Sequence, residues 1–96
     1  MQLSVKELSA AADTAAQGEL VLDALSRALK SGDVIILDFS GVTTATSSFT
    51  NTAIVPLLAE YSLDYLRKHL RIVKSTKQIN DMIKMRLERA SGSAAA

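Results

Sequence analysis

The chain has 96 residues, enough for one domain with a single core and too few for two. Apolar residues make up 48% and charged residues 22%, a globular rather than a disordered balance. Eleven basic residues against 10 acidic ones leave a formal charge of +1, which gives no general pull toward nucleic acid or anionic membrane, and the absence of cysteine excludes disulfides, thiolate metal sites and a cysteine nucleophile.

Residues 2–8 alternate, with Leu3 and Val5 on one side and Ser4 and Lys6 on the other, which predicts a half-buried strand. The first ten residues hold no apolar run behind a basic start, so no secretion signal is expected. Residues 10–17 are alanine-rich without an apolar stripe and read as a loop, with Thr14 and Gln17 spaced for a capping box. Residues 19–30 predict an amphipathic helix. Leu22, Leu25, Ala28 and Leu29 share its apolar face, Val21 lies at the edge of that face, and Gly32 is suited to a left-handed stop.

Residues 34–39 form a continuous apolar run, Val34-Ile35-Ile36-Leu37, closed by Asp38 and Phe39. Its β-branched content predicts a central strand covered on both faces. A loop of small polar residues follows over 40–46. Ser47 or Ser48 is then placed to cap a second helix reaching about Tyr61, with Phe49, Ala53 and Leu57 on one face and a kink or break at Pro56. Residues 70–74 predict a short strand. Ser75 and Gln78 have capping-box spacing, and a last helix follows with Ile79, Met82, Ile83, Leu87 and Ala90 as its buried stripe.

The order strand, helix, strand, helix, strand, helix predicts an α/β fold with a short, mostly parallel sheet and right-handed crossovers. Helices mainly on one face would leave the other face of residues 34–39 bare. Cover by another segment, a second subunit or a partner is therefore expected there. The domain is expected over residues 1–90, with 91–96 as a flexible or non-native tail. No apolar stretch approaches the roughly 20 residues that span a bilayer, so a cytoplasmic protein without membrane contact is expected.

In open α/β sheets, function gathers at the carboxyl ends of the strands. Here that position holds a run dense in hydroxyls: Ser40, Gly41, Thr43, Thr44, Thr46, Ser47 and Ser48. Two readings stay open. The hydroxyls satisfy loop amides and cap the helix, or they form a site for a phosphate, bound or covalently attached, at a helix N-terminus. Asp38 is placed to accept amides from residues 40–44, and a single carboxylate supports no metal site. His69, in a basic run with Arg67 and Lys68, reads as a solvated histidine. Arg71, Lys74 and Lys77 extend that cluster, and Met82 and Met85 read as helix packing. Spacing gives no assembly of acid, base and nucleophile and no glycine-rich phosphate loop, so no catalytic residue and no cofactor are expected.

The run from Val34 to Val42, followed by Ser47-Ser48-Phe49, resembles the core of STAS-like domains, above all the small bacterial group of undefined function (the DUF4325 type). The group's pattern is an apolar strand, Asp-Phe, a small residue, Gly-Val, a short polar gap, then Ser-Phe opening a helix. Weaker similarity extends over residues 18–89. The resemblance implies a STAS-like fold and, through the anti-sigma-factor antagonists, a partner-switching role. In such a role the domain binds an anti-sigma factor or a histidine-kinase-like ATPase, and phosphorylation of a serine turns binding off. The antagonists' loop reads Asp-Ser-Ser-Gly. Alignment on the two serines places their phosphorylated residue at Ser48, with Thr46 in place of Asp and Phe49 in place of Gly. A non-enzymatic regulatory domain using residues 40–48 as a docking surface, with a homodimer as a further option, is the expectation. The alternative is a small-ligand domain that senses a nucleotide or phosphorylated metabolite through the same loop.

Overall fold

A computed structural model describes residues 1–92. The chain runs β1 (Gln2–Ser4), α1 (Val5–Ser9), α2 (Ala15–Leu29), β2 (Ile35–Asp38), α3 (Ser47–Ala53), a 3-10 helix (Val55–Ala59), α4 (Leu63–His69), β3 (Leu70–Val73) and α5 (Lys77–Gly92). The sheet has the order β1-β2-β3 and is parallel throughout. Leu3 pairs with Leu37 and Leu37 with Ile72, which puts β2 at the centre as the sequence predicts.

The first strand is shorter than its alternation suggests. Ser4 stops it by capping α1, its Oγ accepting from the Glu7 amide at 3.2 Å. Ser-x-x-Glu is itself a helix-start pattern, and it overrides the period-two reading of Val5 and Leu8. The capping box of α2 forms as expected: Thr14 Oγ1 accepts from the Gln17 amide at 3.2 Å and Gln17 Oε1 from the Thr14 amide at 3.0 Å. Val21 is fully buried and central to the apolar face, whereas Leu22 is only half-buried. The helix ends at Leu29 and the chain turns through residues 30–32, with Gly32 at φ 82°.

The expected helix from 47 to 61 is broken. α3 ends at Ala53, Ile54 leaves helical geometry at φ −121°, and Pro56 starts a 3-10 turn in which its missing N–H costs nothing. The sequence reading missed α4, although its start is marked. Ser62 Oγ accepts from the Tyr65 amide at 3.1 Å, Asp64 lies in the first turn, and Arg67, Lys68 and His69 lie in the last. At the far end α5 continues through Gly92, so Ser91 and Gly92 are helical rather than tail. Residues 93–96 lie outside the described residues. Ala90 and Met85 are exposed, and the buried stripe of α5 closes at Leu87.

The core lies on one side of the sheet. Ile35, Leu37 and Phe39 are completely buried among Val5, Val21, Leu25, Phe49, Ile54 and Ile79. The opposite face carries Gln2, Ile36, Asp38, Arg71 and Val73, none of them buried, and Val34 just ahead of β2 is 42% exposed. Among the described residues no segment covers this second face of β2, which corrects the expectation of cover by another part of the chain. One-sided burial leaves Asp38 and Arg71 their water, which two-sided burial would remove at a cost of several kcal/mol per ion.

The tightest contact is between α2 and α3. A Cβ on Gly18 would stand 2.7 Å from the Phe49 carbonyl oxygen and 2.9 Å from Thr52 Cβ. Glycine here lets the two helix backbones approach. Gly18→Ala gains about 1 kcal/mol of helix propensity, but the clash is with backbone that cannot swing away. The variant is expected to lose about 1–3 kcal/mol net in urea unfolding. A stabilised variant would show that α3 has room to move.

Candidate functional site

The segment between β2 and α3 is held both by local bonds and by side chains from elsewhere. At its start, Asp38 Oδ1 accepts from the Ser40 amide at 2.8 Å and Oδ2 accepts from Gln2 Nε2 at 3.1 Å. The turn 39–42 closes with the Val42 amide donating to the Phe39 carbonyl at 2.8 Å. Gly41 supplies the φ of 82° that this turn needs at its third position. The chain then passes over the N-terminus of α5. Thr76 Oγ1 donates to the Thr43 carbonyl at 2.8 Å and accepts from the Ile79 amide at 3.3 Å. Gln78 clamps Ala45 from both sides, its Oε1 accepting from the Ala45 amide at 2.9 Å and its Nε2 donating to the Ala45 carbonyl at 2.8 Å. Thr76 rather than Ser75 therefore caps α5, and Gln78 serves the loop rather than a capping box.

The end of the segment is fixed against the chain leading into α2. The Thr46 amide donates to the Ala12 carbonyl at 3.0 Å and Thr46 Oγ1 donates to the Asp13 carbonyl at 2.8 Å. The same Oγ1 accepts from the Phe49 amide at 3.2 Å, and the Thr46 carbonyl accepts from Thr50 Oγ1 at 2.9 Å. Thr46, not Ser47 or Ser48, is thus the N-cap of α3. Thr and Asp are both N-cap formers, so the change from the antagonists' Asp keeps that capacity. Phe49 is completely buried and anchors α3 in the core.

These bonds divide the expected site residues into two groups. Ser40, Gly41 and Thr46 build the loop, and Thr43 contributes its backbone to the hold. The hydroxyls of Thr43, Thr44 and Ser48 face outward on exposed residues, and Ser47 is half-exposed. Among the described residues none of these four side chains takes part in a hydrogen bond. The seven candidates are therefore neighbours in space, but only the 43–44 and 47–48 pairs offer free hydroxyls.

The phosphate-site reading loses ground on this geometry. α3 is only seven residues long, and two of its first amides are already taken, Phe49 by Thr46 Oγ1 and Thr50 by the Thr46 carbonyl. The adjoining cleft, lined by residues 10–13 and 41–44, holds about 170 Å3, against the roughly 300–1,000 Å3 of ordinary small-molecule sites. Among the described residues no three His, Cys, Asp or Glu side chains gather as a metal site, and no helix is long and apolar enough to cross a membrane.

His69 departs from the solvated reading. It is half-buried and stacks on Tyr65 with centroids 3.9 Å apart, and Tyr65 stacks on Tyr61 at 5.0 Å. Its Nδ1–H donates to the Tyr65 carbonyl at 3.0 Å, which ties off the end of α4. Arg67, Lys68, Arg71, Lys74 and Lys77 are all exposed. Arg67 bridges to Glu88 at 3.7 Å and Lys77 to Asp81 at 2.8 Å.

A parallel sheet with all its connections helical, and a fixed hydroxyl loop leading from the central strand into a capped helix, define a small α/β domain of the STAS-like class. The family described as "STAS-like domain of unknown function (DUF4325)" matches residues 17–80, from the first turn of α2 to the first turn of α5, and the chain belongs to it. Comparison with curated proteins and with solved structures gave no significant match.

Asp38, at the start of the loop, has a displaced titration. The amide and hydroxyl of Ser40 hold its pKa below the ordinary aspartate range, helped by Gln2 and by the charge of Lys74 and opposed by partial desolvation. A lowered folded-state pKa contributes stability that is complete above the ordinary aspartate value of about 3.9 and is lost as pH falls through the folded-state value. Asp38→Asn is expected to be less stable than wild type at neutral pH, with the gap closing below about pH 4. A gap independent of pH would show that the carboxylate's charge has no part in fixing the loop.

Proposed function

We propose that the domain is a non-enzymatic, cytoplasmic regulatory module that docks a protein partner through the exposed side of residues 40–48, with Ser48 as the phosphorylated switch. The observation that carries this reading is the pairing of a fixed loop with a free hydroxyl. Every anchoring bond falls on Asp38, Ala45 or Thr46 or on the backbone between them, while Ser48 stands exposed two residues beyond the cap. A pre-formed loop presents its side chains without an ordering cost on binding, which favours a docking surface.

Membership of a STAS-like family supports a partner of the kind that the resemblance implies, a histidine-kinase-like ATPase or an anti-sigma factor. A phosphate on Ser48 adds nearly two negative charges. The first turn of α3 holds no acidic residue to repel them, so the modification changes the docking surface without opposing the fold. The small cleft and the short helix favour this reading over a small-ligand sensor.

Thr46 is unsuited as a surface probe, because its side chain and backbone hold the loop. Ser48 is suited. Affinity capture with the wild-type domain is expected to return a kinase-like ATPase or anti-sigma factor. The Ser48→Asp bait is expected to recover at least about tenfold less, equivalent to about 1.4 kcal/mol, with an unchanged melting temperature. Equal recovery on the two baits, or loss accompanied by unfolding, contradicts the assignment of Ser48.

A further inference from the structure

A second surface lies on the far side of α5 from the loop. α4, β3 and α5 enclose a half-open groove of about 350 Å3, floored by Leu63, Leu66, Leu70, Ile72, Ile83 and Leu87. Its charged rim is uneven. Arg67 and Lys84 stand on opposite banks, one on α4 and one on α5, and the acidic member, Glu88, is engaged with Arg67 at 3.7 Å. Among the described residues Lys84 has no ion-pair partner. Lys68 is exposed on α4, where Asp64 also stands 3.9 Å from Arg67.

We propose that this groove receives an amphipathic helix of a partner protein that carries aliphatic residues on one face and acidic residues along its flanks. The trough is apolar along its floor and open above, which suits a helix laid into it with residues at i, i+3, i+4 and i+7 pointing down. Positive charge on both banks meets acids on both sides of that stripe. The Arg67–Glu88 bridge spans the groove between two largely exposed side chains, so a guest carboxylate displaces Glu88 from Arg67 at little cost. The surface is separate from Ser48 and does not depend on the switch.

The test uses the full chain and a synthetic helical peptide of about four turns, with leucines at the four positions and glutamates on both flanks. A twin peptide has lysine flanks. Binding is followed by fluorescence anisotropy. The acidic peptide is expected to bind saturably and to weaken as salt rises. Lys84→Glu is expected to weaken it about fivefold and Glu88→Gln to tighten it about twofold, while Ser48→Asp leaves it unchanged. All three substitutions are at exposed positions and are expected to leave the melting temperature in place. Several results overturn the proposal: no saturable binding, equal binding of the lysine-flanked twin, or the same affinity in Lys84→Glu. Concentration-dependent self-association abolished by Lys84→Glu would give the groove to a second copy instead. Tighter binding of decanoate than of the peptide would give it to a small amphiphile.

Discussion

The close approach of α2 and α3 at Gly18 is the constraint on which the rest of the domain depends. With no Cβ in the gap, the backbone of α3 comes close enough for Phe49 and Ala53 to enter the core and for Thr50 to be completely buried. That approach brings Thr46 within reach of the Ala12 and Asp13 carbonyls, which lie just ahead of α2. The packing of one helix pair therefore sets where the chain leaves the central strand and where the next helix starts. Moving α3 outward by the width of a methyl group would break the anchor at Thr46 before it disturbed the sheet.

The hydroxyl-rich loop divides its labour. Thr46 and Thr76 are committed to the fold, and each bonds a carbonyl far away in sequence while capping a helix. Gln78 adds two bonds to one buried residue, Ala45, which is 2% exposed. What remains free is small: Thr43, Thr44, Ser47 and Ser48. A dense hydroxyl run thus reports mainly on how a loop is held and only secondarily on what it meets. The proposed docking surface is that remainder, left after the structural bonds are subtracted.

Much of the fold is legible in the sequence because its local signals agree. The β-branched run at 34–37, bounded by turn residues, marks the central strand. Thr14 with Gln17 marks the start of α2, and Pro56 marks the break after α3. The misreadings have a common cause. Adjacent Ser and Thr are equivalent by propensity, so Thr46 against Ser47 and Thr76 against Ser75 are decided only by which hydroxyl finds a distant carbonyl. The strand expected over residues 2–8 is too long because alternation and a capping pattern overlap at residues 4–8. α4 is hard to see because a helix expected to reach Tyr61 runs right up to its capping residue, Ser62, and hides the new start. At the site, Asp38 and the hydroxyl loop are visible in the sequence, whereas Gln78 is not, since nothing local links it to Ala45, 33 residues earlier. Gly18 gave one local clue, a glycine inside a strong helix.

Residues 43–46 form a fixed platform rather than a mobile loop. Amide hydrogen exchange tests it directly. The Ala45 and Thr46 amides, bonded to Gln78 and to the Ala12 carbonyl, are expected to exchange as slowly as amides of the α2 core. In Gln78→Ala, protection is expected to fall at Ala45 while residues such as Leu25 keep theirs. Exchange of Ala45 and Thr46 at the rate of an unstructured chain in the wild-type domain would contradict the account.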